Sequence, residues 1–220
     1  MQFDASRSAM DAQDSSLRSS MAAAFAVPGI YAAHRLILPG DENGLSAEEA
    51  PAFANSVAKV RRASGAARIV ARALLAEFGL PNTAVLKSPS GAPIWPEGVV
   101  GSLAHDSRVA VAAVARRRDI AAIGVDVEPA EDLPSDLLDL VATPGERAII
   151  GGVRFGGRLL FAAKEAVYKA VYPLDQTFLE HHQVEIDFAN RKGIVRNGRV
   201  VDLRFCISSH LATLAFIPAT

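Results

Sequence analysis

Apolar positions between residues 99 and 128 fall into three short runs, Val99–Ala104, Val109–Ala115 and Ile120–Glu128. All are rich in Val, Ala and Ile, and each is short enough for a strand. Arg116–Asp119 sits between the last two, where a hairpin turn belongs. An earlier run, Ile30–Leu38, predicts a first strand closed by Pro39-Gly40. The period changes to that of a helix over Val57–Phe78, which ends at Gly79 with Pro81 beyond it. A second helical pattern covers Arg158–Tyr172, where Leu159, Ala162, Ala163, Ala166 and Ala170 form a stripe of small apolar residues. Ser46 with Glu49, and Thr143 with Pro144 and Glu146, carry the spacing of helix-starting capping boxes. Residues 87–101 are loop-like, and the last forty residues return to strand patterns with turns at Asn190–Gly193 and Asn197-Gly198. The resulting order of helices and strands predicts an α+β, mixed α/β fold.

Composition narrows the picture. Half of the 220 residues are hydrophobic, enough for one sizeable core. A formal net charge of −1 gives no electrostatic argument for nucleic acid or an anionic membrane surface. No stretch is apolar for long enough to span a membrane, because Met21–Leu38 is broken by Pro28, Gly29, His34 and Arg35. The lone Cys206 cannot close an internal disulfide and fits a reducing cytoplasm. Residues 1–20, mostly Ser, Asp, Ala and Gln, predict a frayed, disordered tail rather than a signal peptide. Residues 21–220 are then a single catalytic unit.

Three places carry candidate chemistry. Asp126 and Glu128 stand two apart on a predicted strand, so both side chains project from one face. Two carboxylates so close in an apolar setting repel, and a hard divalent cation such as Mg²⁺ would relieve them. The plainer alternative is a half-exposed strand with both acids in water. In FAAKEAVYKA, Glu165 and Lys169 form a helical i, i+4 pair, which is ordinary on a solvated helix. The functional alternative makes Glu165 a further ligand or base, with Lys164 and Lys169 as phosphate partners. His105 ends an apolar strand, a position held more often by a satisfied structural histidine than by an active one.

Taken together, WPEGVVGSLAHD at 95–106, IGVDVEP at 123–129 and FAAKEAVYKA at 161–170 resemble the three signature motifs of the 4′-phosphopantetheinyl transferases. Their order and separations are similar to the long, monomeric class that activates surfactin and enterobactin synthetases, with GAPIWPEGVVGSLAH and ARIVARALL leaning to the enterobactin type. The resemblance implies a fold of two pseudo-symmetric α/β halves, meeting near residues 120–130, with coenzyme A between them. It implies Mg²⁺-dependent transfer, with Mn²⁺ as an alternative, of the phosphopantetheine arm of coenzyme A to a serine of an apo carrier protein. That carrier would belong to peptide, siderophore, polyketide or fatty-acid synthesis, and 3′,5′-ADP would be released. By the same resemblance Asp126, Glu128 and Glu165 hold the metal, and Glu165 is a candidate base. Lys169 meets the pyrophosphate, Lys164 matches the first lysine of the third motif, and His105 meets a coenzyme A phosphate. Arg72, with Arg62 and Arg68, faces the 3′-phosphate.

The chain departs from the family pattern in places. Asp106 follows His105 where a small residue, often Ser, is common, and Phe161 stands where many members have Trp. Trp95 is read as pinning a loop, Arg116–Arg118 as a solvated turn, His181-His182 as a polar loop and Cys206 as a core thiol. Two competing readings use the same residues: another Mg²⁺-dependent pyrophosphate-cleaving enzyme, and a docking module for carrier proteins without turnover.

Overall fold

The computed structural model describes residues 2–220, with side chains from Asp11 onward. The chain begins with α1 (Gln2–Ala24), β1 (Ile30–Leu36), two 3-10 turns (Asp41–Gly44 and Ala50–Phe53) and α2 (Ala58–Glu77). The strands β2 (Leu86–Lys87), β3 (Pro93–Ile94), β4 (Val99–His105), β5 (Val109–Arg116) and β6 (Ile120–Pro129) follow. Next come α3 (Ser135–Val141), α4 (Pro144–Ile150), α5 (Gly156–Asp175) and a 3-10 turn at His181–Gln183. The chain closes with β7 (Val184–Asp187), β8 (Lys192–Val195), β9 (Val200–Ile207) and β10 (His210–Pro218).

Two large antiparallel sheets organise these elements, and β2 and β3 pair as a separate two-stranded sheet. The first has the order β1-β5-β4 and the second β6-β10-β9-β8-β7. The chain takes the same path through both. In β1-α2-β4-β5 and in β6-α5-β9-β10, the opening strand pairs with the closing one, and the closing one with its predecessor. Side-chain alternation sorts the faces. Along β5, Val109, Val111, Ala113 and Ala115 enter a core shared with Ile123, Val125 and Val127 of β6 and with Leu214 and Phe216 of β10. The opposite face of β5, at Ala112 and Val114, meets Val70, Ala71, Leu74 and Leu75 of α2. Helix α5 covers the other sheet in the same way, with Ala163, Ala166 and Ala170 in the core. Contact there is backbone-close: a Cβ on Gly124 would collide with the Ala166 carbonyl.

The N-terminus differs from the expectation of a disordered tail. Residues 2–24 form α1, and Leu17, Met21 and Phe25, at i, i+4 and i+8, are buried in the shared core. Burial of each such side chain is worth roughly 1.5–3 kcal/mol, which outweighs the weak helix propensity of a Ser-rich segment. The Ser46 start also differs. Its capping-box bonds are present, Ser46 N–H to Glu49 and Glu49 N–H to Ser46 Oγ, yet only a 3-10 turn follows and α2 begins later, at Ala58.

Glu49 has a second task, and it recurs. Its buried carboxylate accepts from Arg72 of α2 at 2.6 Å and from the Val85 N–H at 2.8 Å. In the other half Glu146 closes the Thr143 capping box and accepts from Lys164 of α5 at 2.8 Å and from the Ile186 N–H at 3.0 Å. In each half one buried glutamate ties the segment before the long helix to a cation on that helix and to the segment after it.

Candidate active site

The edge strand β4 lies against the edge strand β6, where the Val125 N–H donates to Ser102 Oγ at 3.0 Å. His105 ends β4 at the surface, while Asp126 and Glu128 lie near the end of β6. Both acids share the face of Gly124, so they point toward α5. On that helix Arg158, Glu165 and Lys169 are separated by seven and eleven residues, which puts them within roughly 40° of one another.

The contacts follow from this placement. Lys169 Nζ donates to Asp126 Oδ1 at 2.6 Å and to the Val125 carbonyl at 3.3 Å. Arg158 donates to Glu128 at 3.0 Å, and also to Glu131 and the Asp132 carbonyl. Asp126 is buried, and its Oδ2 has no hydrogen-bond partner among the described residues. Burial pushes the Asp126 carboxyl above its ordinary range and Glu165 adds repulsion, against the pull of Lys169. Burial and the neighbouring Asp126 charge push Glu128 up to about 7, against the pull of Arg158. Desolvation holds His105 below its usual value, with the Lys169 charge acting in the same direction.

Among the described residues, no three His, Cys, Asp or Glu side chains stand close enough together to hold a metal ion. Asp126 is turned to Lys169 and Glu128 to Arg158 rather than toward each other. The donor set nevertheless suits a hard cation: two desolvated carboxylates on one strand face, one with an unpartnered buried oxygen, and Glu165 on the opposing helix.

The structure thus brings His105, Asp126, Glu128, Glu165 and Lys169 to one junction. Other candidates are placed differently. Lys164, 1% exposed, donates to the Val141 carbonyl, Glu146 and the His181 carbonyl, so it is a buried clip and not a free phosphate partner. Arg68, 5% exposed, donates to the Val85 carbonyl, and its guanidinium lies 4.6 Å from the centre of the Phe53 ring. Arg72 is held by Glu49 and the Gly44 carbonyl. In this structure both arginines are engaged in packing α2. Arg62 differs, since it is partly exposed and, among the described residues, paired with Glu42 alone. Ala66 and Ala67 pack on Ala110, the partner of His105 in the β-ladder, so the early turns of α2 lie at the His105 end of the sheet.

Sequence reasoning missed Arg158. The signal was its place eleven residues before Lys169, on the same helix face. An open groove of about 470 Å³ adjoins Glu165, lined by Leu140, Tyr168, Phe178 and His181 among others, with Leu140 and Phe178 well exposed. Trp95 packs over Gly101, as a loop-pinning residue should. Cys206 is buried, and its thiol is pushed up to about 11.

Fold and junction together define a two-lobed α/β protein with a strand-borne acid pair facing a basic helix. Residues 48–115 match the family model of the 4′-phosphopantetheinyl transferase N-terminal domain, and residues 122–215 match that of the 4′-phosphopantetheinyl transferase superfamily. The transferase Npt of Nocardia iowensis is 42% identical over 173 residues, covering 77% of this chain and 78% of Npt. PptT of Mycobacterium tuberculosis is 41% identical over 145 residues, 64% of each chain. Enterobactin synthase component D of Salmonella typhimurium is 32% identical over 111 residues, 48% of this chain and 45% of that protein. The chain belongs to the 4′-phosphopantetheinyl transferase family and is an enzyme of that class. No helix among the described residues is long and apolar enough to cross a membrane.

Proposed function

We propose that this chain moves the 4′-phosphopantetheine arm of coenzyme A onto a serine of an apo carrier protein, releasing 3′,5′-ADP, with Mg²⁺ or Mn²⁺ as cofactor. Lys169 carries this reading. It binds Asp126 on one sheet while bearing electrostatically on His105 of the other. One partly exposed cation between an acid pair and a histidine is what a pyrophosphate ester requires: charge neutralisation on one side, metal ligands on the other. One chain supplies both walls of the junction, which supports a monomer, and the buried lone thiol accords with a reducing cytoplasm.

Asp126, Glu128 and Glu165 would hold the metal, which supplies neutralisation of phosphate charge when bound. Lys169 then leaves Asp126 and donates to a pyrophosphate oxygen. His105 and Arg62 bind the donor's remaining phosphates, Arg62 by opening its partly exposed pair with Glu42. The serine Oγ forms a bond to the β-phosphorus as the bond to the bridging oxygen breaks, and Glu165 takes the serine proton. The apolar groove beside Glu165 gives the carrier a surface to rest on.

The deciding experiment is intact-protein mass spectrometry of apo carrier proteins incubated with this protein, coenzyme A and Mg²⁺, with and without EDTA. Gain of one phosphopantetheine arm, lost with EDTA, is the expected result. Coenzyme A binding without transfer would favour the docking module, and neither would favour the hydrolase.

Two further outcomes follow. The raised carboxyl of Glu128 means that the folded chain binds more protons than the unfolded one between about pH 4.5 and 7, so its contribution to stability falls as pH rises through that window. Mg²⁺ should therefore raise the melting temperature more at pH 8 than at pH 5; an equal effect at both would remove the carboxylates as its ligands. Arg62→Ala should cost about tenfold in kcat/KM with coenzyme A and much less with 3′-dephospho-coenzyme A. Equal losses with both donors would exclude a 3′-phosphate contact.

A further inference from the structure

Two direct side-chain ties join the sheets among the described residues. Midway along the junction stands the Val125 N–H to Ser102 Oγ bond. At the end carrying the acids, His210 Nε2 lies 3.2 Å from Asp106 Oδ2, with side chains only 4% and 8% exposed; the two face each other as a buried ion-pair contact whose angles fall outside hydrogen-bond geometry, and Oδ2 has no other partner among the described residues. Asp106 opens the β4–β5 turn, and His210 is the first residue of β10. The carboxylate is used at both ends. Its Oδ1 accepts from the Arg108 and Val109 N–H groups, each at 2.7 Å, which closes the turn and leaves Oδ2 for His210. His210 in turn has Nδ1 at 3.2 Å from Ser209 Oγ, and it pairs with Pro129, next to the Leu211–Glu128 pair. The tie therefore ends one residue from His105 on one side and one ladder step from Glu128 on the other.

We propose that His210, acting through Asp106, is a positioning residue for the transfer: it holds His105 of the first half at the spacing from Asp126 and Glu128 of the second that the donor must bridge. This rests on the transferase reading. The β-ladder of β4 stops at His105, and a strand end without an anchor opens more readily than its middle. Displacement of a substrate contact by about 1 Å can cost up to a hundredfold in rate. Burial shields the pair from salt and water, so the tie is maintained under working conditions. The carboxylate next to His105 is accordingly directed at His210 and not at an incoming phosphate.

The test is steady-state transfer with coenzyme A varied, together with melting temperatures, for the unaltered chain, His210→Phe, His210→Gln and Asp106→Ser. His210→Phe should raise KM for coenzyme A about tenfold and change kcat less than about threefold. His210→Gln, whose amide nitrogen can replace Nε2 against Asp106, should restore KM to within about threefold of the unaltered chain. Asp106→Ser keeps an acceptor for the turn while removing the partner of His210, and should raise KM as His210→Phe does. An unchanged KM in Asp106→Ser overturns the role even should His210→Phe fail to fold. A lower melting temperature with unchanged KM makes the pair structural only and likewise overturns it. An unaltered chain that transfers nothing overturns the transferase reading and the positioning role with it, whereas a transferring chain with indifferent variants overturns the positioning role alone.

Discussion

Replacing Asp126 by Asn is expected to slow phosphopantetheine transfer by about a thousandfold or more while leaving the melting temperature unchanged or raised. The two effects part company because the folded chain holds this carboxylate at a cost. It is buried, one oxygen lacks a partner among the described residues, and its protonation is favoured by burial and by Glu165. Removing the charge removes that penalty, and Lys169, partly exposed, can turn to water. A site that destabilises the empty protein but is kept is the pattern of a residue retained for binding rather than folding. Transfer rates by mass spectrometry and melting temperatures by calorimetry check both halves. A variant within tenfold of the parent rate would remove Asp126 from the reaction.

Lys164→Met should behave in the opposite way. Lys164 is enclosed with Glu146 and two backbone carbonyls, so its loss leaves a buried carboxylate without its cation. Breaking such a pair costs about 3–5 kcal/mol, which for a chain of this size lowers the melting temperature by about 10 °C. Folded molecules of the variant should keep their KM for coenzyme A, since Lys164 does not face the junction. Thermal denaturation and steady-state kinetics separate the outcomes: normal stability with a raised KM would return Lys164 to the phosphate site.

The contrast between these lysines marks what the sequence can and cannot reveal. Lys164 and Lys169 sit five apart in one motif, and the pattern FAAKEAVYKA gives no sign that one is sealed inside and the other faces the cleft. That difference depends on α4 and the segment after α5, whose packing is set by distant residues such as Glu146 and Ile186. The partners of Arg68 and Arg72 were hidden for the same reason, because Val85 and Glu49 lie well away in sequence. Local signals fared better. The strands β4, β5 and β6 and the long helices α2 and α5 were legible within two or three residues at each end, since period and breakers are written locally. The four-residue spacing of Leu17, Met21 and Phe25 was also present, but it was obscured by a Ser- and Asp-rich composition that argues for disorder until a core is known to lie beneath it. Arg158 was legible only once α5 had a face.

The common path of the two halves has a further consequence when their hairpins are aligned. The pair His105–Ala110 in the first corresponds to Ile207–Leu211 in the second. Carried across to the opening strands, Glu128 then corresponds to Arg35 and Asp126 to Ala33. The histidine has no counterpart in the second half, and the acids have none in the first. A duplicated architecture offers two equivalent clefts, but this chain carries the histidine in one copy and the acid pair in the other. On the transferase reading this asymmetry predicts one donor molecule per chain, and it leaves each lobe free to change wherever the other does the work.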